Sequence, residues 1–261
     1  MGQVTVVTSG KGGAGKSTVT AGLGCALARL GRKVLLVDAD AGLRSLDLLL
    51  GIGGAAVYDI ADVFAGNCEP IRAIYPSPIC SGVFVAPAPV SLEQLCAPED
   101  MRLLCRGFSR YYDDVIIDCP AGVGQGFRTA VAGAEAALVV TTPDMVCARD
   151  AQVVGHLLFA RDLPARLIIN RLRPEMIARG DMMSVEDVTE ILAIDLLGVI
   201  PDDESVVVAT NQGEPVVGED SLAGKCYQNI CRRLLGEEVP ISDFNHKPGL
   251  RSKLSSLFHK N

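Results

Sequence analysis

The chain has 261 residues with 24 Lys+Arg and 31 Asp+Glu, a net charge of −7, and 49% hydrophobic residues of which few are aromatic and none is Trp. That length is enough for one large α/β domain with a mostly aliphatic core. No apolar run approaches the roughly 18 residues of a membrane-spanning helix, and the acidic balance disfavours broad nucleic-acid binding.

In chain order, the first element is a short β-branched run, Val4 to Thr8, that reads as a buried strand. Met1 leads almost directly into it, so no signal peptide is expected ahead of it. The run breaks into a glycine-rich turn, Ser9 to Gly15, and Lys16, Ser17 and Thr18 open a helical pattern. Gly10, Gly15, Lys16 and Ser17 fit G-x-x-x-x-G-K-[ST], the spacing of a phosphate-binding loop. Glycines without a Cβ let successive backbone N–H groups face phosphate oxygens. The new helix adds its positive end, Lys16 reaches the outer phosphates, and Ser17 offers a hydroxyl to Mg²⁺.

Lys33 to Val37 is the next strand, followed by DADAGLRSLDLLLG. Asp38 and Asp40 therefore fall at the carboxyl end of a buried parallel strand, where open α/β sheets bind ligands. Residues 55–112 carry no assignable chemistry. Tyr58 to Ala65 looks helical, Val83 to Ala86 reads as a strand, and Pro98 to Tyr112 as a helix, with Ser91 and Pro98 as start signals. Val115 to Ile117 form an apolar strand ending in Asp118, placed to hold a Mg²⁺ shell. Pro120, Ala121 and Gly122 then make a tight turn.

A strand from Ala136 to Thr141, a helix from Met145 to Asp162 and a strand from Leu167 to Ile169 lead to Asn170 and Arg171. The Asn170 amide offers both a donor and an acceptor. His156, among Val153, Val154, Leu157 and Leu158, reads as a core or helix-surface residue. A last strand, Leu197 to Ile200, precedes Pro201 to Asp203, whose backbone can close over a base. Ser221 to Leu235 is the last helix of the body. Nine cysteines, none in C-x-x-C spacing and most in apolar surroundings, read as reduced packing residues of a cytosolic protein.

The tail differs from the body. Residues 246–261 hold four Lys or Arg and no acid, whereas 1–245 hold 20 Lys+Arg against 31 Asp+Glu, a balance of −11. Residues 237–248 read as a Pro-bearing linker between a domain at 1–236 and a helix at 249–261. At about 100° per residue, Leu250, Leu254, Leu257 and Phe258 form one stripe roughly 100° wide, flanked by Arg251, Lys253 and Lys260. Such a helix is suited to the interface of an anionic bilayer; the other readings are a terminal helix packed on the body and a frayed tail.

The loop KGGAGKST, with its second lysine at Lys11, resembles the deviant Walker A motif of the MinD/ParA family of P-loop ATPases. The D-x-P-A-G of Asp118, Pro120, Ala121 and Gly122 is similar to that family's switch II, and the segment after Asp38 to its switch I. The resemblance covers nearly the whole chain. It implies a P-loop NTPase fold, with a mostly parallel central sheet and helices on both faces, and Mg²⁺-dependent hydrolysis of ATP.

It also implies site roles. Lys11 would reach the partner's phosphates across an ATP-bridged homodimer, and Asp40 would position the attacking water with Asp38 in support. Lys11, Gly12, Gly13, Ala14, Gly15, Lys16, Ser17 and Thr18 would hold the phosphates, and Ser17 and Asp118 the metal. Asn170, Arg171, Pro201 and Asp202 would hold the base. The partners implied are anionic membrane lipids, contacted by Leu250, Arg251, Lys253, Leu254, Leu257 and Phe258, a septum inhibitor (MinC) and an activator of hydrolysis (MinE). The resemblance thus points to division-site placement from the inner face of the membrane. A segregation ATPase, a flagellar-number regulator and a non-hydrolysing membrane scaffold are the rival readings.

Overall fold

The structure is a computed structural model and describes residues 1–90, 97–215, 218, 220–242 and 244. In chain order it runs β1 (Gln3–Thr8), α1 (Lys16–Arg29), β2 (Val34–Asp38), α2 (Ser45–Leu49), α3 (Ile60–Phe64), β3 (Tyr75–Pro76), β4 (Val83–Ala86), α4 (Pro98–Phe108) and β5 (Asp114–Asp118). It continues with α5 (Gln125–Ala132), β6 (Ala136–Thr141), α6 (Met145–Phe159), β7 (Ala165–Leu172), α7 (Pro174–Arg179), α8 (Val185–Leu192), β8 (Leu196–Pro201), α9 (Glu204–Gln212) and α10 (Leu222–Leu234).

The strands form one sheet in the order β3-β4-β2-β5-β1-β6-β7-β8. Every pairing is parallel except β3 with β4. Strands covered on both faces must be apolar at every position, and β2 and β5 are buried throughout. Alternate residues serve opposite cores. Leu35 and Val37 face the side carrying α4, α5, α6 and α8, while Val34 and Leu36 face α1 and α10. Each such side chain contributes about 1.5–3 kcal/mol by leaving water. Helix α1 lies close on the sheet because Gly24 has no side chain: a Cβ there would stand 2.9 Å from a Leu36 methyl.

The layout carries all the parallel strand tips to one edge, so β1, β2 and β5 deliver the P-loop, Asp38 and Asp118 side by side. Several boundaries differ from expectation for local reasons. The helix at 58–65 is confined to α3, because Asp59 caps it, accepting from Ala61 and Asp62 N–H while Asp62 accepts from Asp59 N–H. The helix expected to reach Tyr112 stops at Phe108, and the one expected to reach Asp162 stops at Phe159, where Asp162 takes a left-handed φ of 52°. Strand β7 runs beyond 167–169 on both sides.

None of the eight described cysteines is in a disulfide, six of them are buried, and no described helix is long and apolar enough to cross a membrane. The tail helix expected at 249–261, with its stripe residues, and the start signal Ser91 lie outside the described residues.

Candidate nucleotide site

Helix α1 opens without a side-chain cap and with no acid in its first turn; its N-cap is Gly15, in left-handed backbone with φ 90°. The first-turn N–H groups therefore have no side-chain partner, and they point where an anion would sit. Gly13 is also left-handed, with φ 87°. The two glycines differ in their surroundings. A Cβ on Gly13 would meet nothing within 4 Å, whereas one on Gly15 would stand 2.4 Å from Asn170 Nδ2. Asn170 thus closes the loop from below: it is buried, and its amide nitrogen donates to the Ala14 carbonyl at 2.9 Å.

The two loop lysines are treated differently. Lys16 is buried, and its ammonium donates to Ser9 Oγ at 3.2 Å; Ser9 in turn donates to the Lys11 carbonyl at 2.7 Å. Lys11 is exposed at the mouth of the loop. One cation is fixed inside the site and the other is available to something outside it.

Opposite Lys16 stand three carboxylates. Asp38 and Asp118 are register partners at the tips of β2 and β5, both fully buried. Burial, then the neighbouring charge of Asp118, push the Asp38 carboxyl up to about 8. Its two oxygens accept from the Asp40 N–H (2.9 Å) and the Leu46 N–H (3.3 Å), so it ties down both ends of the loop after β2. Burial raises Asp118 to about 6, against the opposing pull of the Ser17 hydroxyl and the Lys16 charge. Asp40 is half-buried and also raised by burial, with Lys16 pulling the other way.

One Asp118 oxygen accepts from Thr20 Oγ1 at 3.4 Å; the other is buried without a partner among the described residues. An orphaned anionic oxygen beside the Ser17 hydroxyl is costly unless a cation completes it. The donor set, one carboxylate and one hydroxyl at the end of a phosphate-binding loop, suits an oxygen-seeking ion such as Mg²⁺. The residues present therefore fit both a phosphate chain and its metal.

Beside the loop lies a cavity of about 480 Å³ lined by Thr18, Asn170, Arg171, Pro201, Asp202 and Tyr227, among others. Its shape comes from an irregularity in β7. The pairing with β8 shifts between Ile169 and Leu172, where Arg171 takes a left-handed φ of 57°, and Asn170 is turned inward while Arg171 stays exposed. With the Asn170 nitrogen committed to Ala14, its Oδ1 is left as an acceptor. Asp202 N–H donates to the Leu172 carbonyl, and the Asp202 side chain pairs with Arg173, which fixes the cavity's rim.

The structure thus brings together Gly12 to Thr18, Asp38, Asp40 and Asp118 at one end of the sheet, with Asn170, Arg171, Pro201 and Asp202 around the adjoining cavity. Cys119, next to Asp118, is buried, and burial pushes its thiol up to about 12, so it packs rather than reacts. His156 is exposed on α6, away from the core. Three participants were given no role in the sequence reading: Ser9, Thr20 and Tyr227. Thr20 lies one helical turn after Lys16, a spacing that could have suggested it. Asp203 caps α9, accepting from Ser205 N–H, and also accepts from Ala223 N–H at the start of α10. That second bond spans 20 residues, and nothing in the local sequence announces it.

Residues 5–216 match the family described as the CobQ/CobB/MinD/ParA nucleotide binding domain. The chain is 48% identical over 248 residues to the septum site-determining protein MinD of Synechocystis sp., covering 94% of this chain and 93% of that one. Among solved structures it resembles the MinC:MinD cell division protein complex of Aquifex aeolicus, with TM-score 0.83, 40% identity, and 92% of this chain and 99% of that chain covered. It also resembles the septum site-determining protein MinD complexed with Mg-ADP from Pyrococcus horikoshii, with TM-score 0.81, 31% identity, and 90% and 96% covered. With its phosphate loop, paired strand-tip carboxylates and near full-length likeness, the chain belongs to the MinD/ParA family of P-loop ATPases, on its septum-site-determining branch.

Proposed function

We propose that this chain is the ATP-driven membrane switch that places the division septum. One observation carries the reading: a buried lysine in the phosphate loop facing an orphaned strand-tip carboxylate, with a second lysine left exposed at the loop's mouth.

In this reading the backbone of Gly12 to Thr18 binds the phosphates, Lys16 neutralises the outer ones, and Ser17 and Asp118 hold Mg²⁺. Held by Ser17 and Asp118, Mg²⁺ would supply positive charge to the phosphoryl oxygens. Asp40 orients the attacking water and Asp38 keeps it in place through the Asp40 N–H. Phosphoryl transfer asks for little beyond such placement and charge. Lys11 crosses to the second protomer's site, so that ATP holds a homodimer together.

The tail residues Leu250, Arg251, Lys253, Leu254, Leu257 and Phe258 then grip anionic lipid. One such helix binds marginally; pairing two raises avidity by about 10²–10⁴. The likeness to the Aquifex aeolicus MinC:MinD complex supports a MinC-type inhibitor as cargo, and the family resemblance supports a MinE-type activator of hydrolysis. The protein is then cytoplasmic when its nucleotide is spent and peripheral on the inner face of the membrane when loaded with ATP. Sedimentation with anionic liposomes tests this: capture with ATP and Mg²⁺ but not with ADP is expected, and equal capture with both would defeat it.

A further inference from the structure

The last described stretch leads away from the face on which α10 packs. Helix α10 lies on α1 and on the inner side of β8, the edge strand of the sheet. Near its end, Arg233 donates to the carbonyls of Leu197 on β8 (2.8 Å), Val239 (2.6 Å) and Pro240 (2.6 Å), which holds the chain against the edge of β8. Four residues later, Phe244 packs on the opposite core, the one that carries α8. Four residues reach at most about 14 Å, so Phe244 must lie at the β8 end of that core.

A shallow channel opens there between α8 and the start of β8. Its apolar floor includes Val185, Ile194 and Leu196, each partly buried on the core, and its rim carries Glu190 and Asp195, both exposed. The walls are pre-set. Ser184 and Asp187 cap α8 reciprocally, Gln152 of α6 donates to the Ile191 carbonyl at 2.7 Å, and Ala193 turns the chain with a left-handed φ of 51°. Helix α8 has eight residues, about 12 Å of length, which matches the roughly 13 Å of a helix from Leu250 to Phe258.

We propose that, in the absence of lipid, the chain's own tail, Leu250 to Phe258, lies in the channel between α8 and β8. The match is in chemistry as well as length. Leu250, Leu254, Leu257 and Phe258 present one apolar stripe to an apolar floor, and Arg251 and Lys253 flank the stripe on the side of acidic rims. Only five residues separate Phe244 from Leu250. A tether that short gives an effective concentration in the millimolar range, so even a weak contact is well populated. A docked tail is withheld from the bilayer, and lipid must compete with the channel for the same four side chains. The inference uses the amphipathic reading of the tail given above, but docking does not require that the tail bind lipid.

The test is hydrogen exchange on the full chain without lipid. Two double variants are compared with the parent: Leu254→Glu with Leu257→Glu in the tail, and Glu190→Lys with Asp195→Lys on the rim. Exchange at residues 186–196 is expected to quicken about tenfold in both, with the melting temperature kept. Unchanged exchange in either variant overturns the proposal. So does protection that strengthens with protein concentration, which would give the channel to a second copy's tail. A liposome arm separates this from the membrane reading: if the tail variant still sediments with lipid under ATP, the membrane assignment fails whatever the exchange shows.

Discussion

Replacing Gly15 by Ala tests how the phosphate loop is held, and the structure supplies its own control. At both Gly13 and Gly15 an alanine must adopt left-handed backbone, φ 87° and 90°, at about 1–2 kcal/mol. There the similarity ends. Beyond Gly13 the space is open, but at Gly15 the new Cβ would sit 2.4 Å from Asn170 Nδ2. The amide must then swing away from the Ala14 carbonyl, and a buried donor and acceptor lose each other for a further ~1–3 kcal/mol. Gly15→Ala should therefore cost about 2–5 kcal/mol and Gly13→Ala about 1–2 kcal/mol in urea unfolding of the nucleotide-free protein. Measured in an Asn170→Ala background, Gly15→Ala should cost no more than Gly13→Ala, since the obstructing atoms and their hydrogen bond are already gone. Equal losses at the two glycines would refute the idea that Asn170 braces the loop.

Three further outcomes follow from the site. Asp40→Asn should keep ATP affinity while lowering turnover about 10²-fold, measured by phosphate release; near-normal turnover removes Asp40 from the reaction. Asp38, raised to about 8, keeps its proton when folded over a range where the unfolded chain, with an ordinary carboxyl, has already lost it. Its contribution is thus complete below about pH 4 and lost as pH rises toward 8, so the metal- and nucleotide-free protein should weaken across that window and Asp38→Asn should flatten the slope. Thermal melts between pH 5 and 8.5 read this; identical slopes would show that Asp38 is already ionised. Asn170→Ala should also lower the preference for ATP over GTP by about tenfold, because the spare Oδ1 matches the adenine amino group and not a guanine carbonyl. Competition titration checks it, and an unchanged ratio assigns base selection elsewhere.

How much of this was legible in the sequence depended on whether a signal was local. The parallel strands and their tips could be read because doubly covered strands are uninterrupted apolar runs, as at Val34 to Val37 and Val115 to Ile117, and because Gly15-Lys16-Ser17 is a contiguous motif. Several short helices could not, although α3 was. α5 starts QGF after Gly124, α9 contains the β-branched run Val206 to Val208, and α2 has only five residues, so propensity argued against each and tertiary contact decided. Ser9 under Lys16 and Thr20 against Asp118 join residues 7 and 98 positions apart. The Arg171 irregularity that shapes the cavity beside the phosphate loop leaves no mark in composition. Asn170 shows the difference most plainly. Its amide chemistry and the family resemblance suggested the adenine edge, but its nitrogen already donates inside the protein, to Ala14.

Helix α10 joins the two ends of the molecule. At its start, Ala223 N–H donates to Asp203, whose neighbours Pro201 and Asp202 line the cavity beside the phosphate loop; at its finish, Arg233 holds the chain that leads to the tail. In the proposed dimer, the points from which the two tails leave are set by a 13-residue helix with both ends bonded. Three carbonyls on one guanidinium make Arg233 the residue that fixes the exit point, and no other side chain has the planar fork to serve all three. Arg233→Ala should leave ATP affinity within about twofold, since the change lies a full helix length from the cavity. It should nevertheless free residues 237–242, so limited proteolysis there should quicken by about 10-fold, the equivalent of losing ~1.4 kcal/mol of local closure. Arg233→Lys, which keeps the charge but not the fork, should fall between. Cleavage at the parental rate in Arg233→Ala would mean that the exit is set by something other than this clamp, and the spacing of the tails would need another origin.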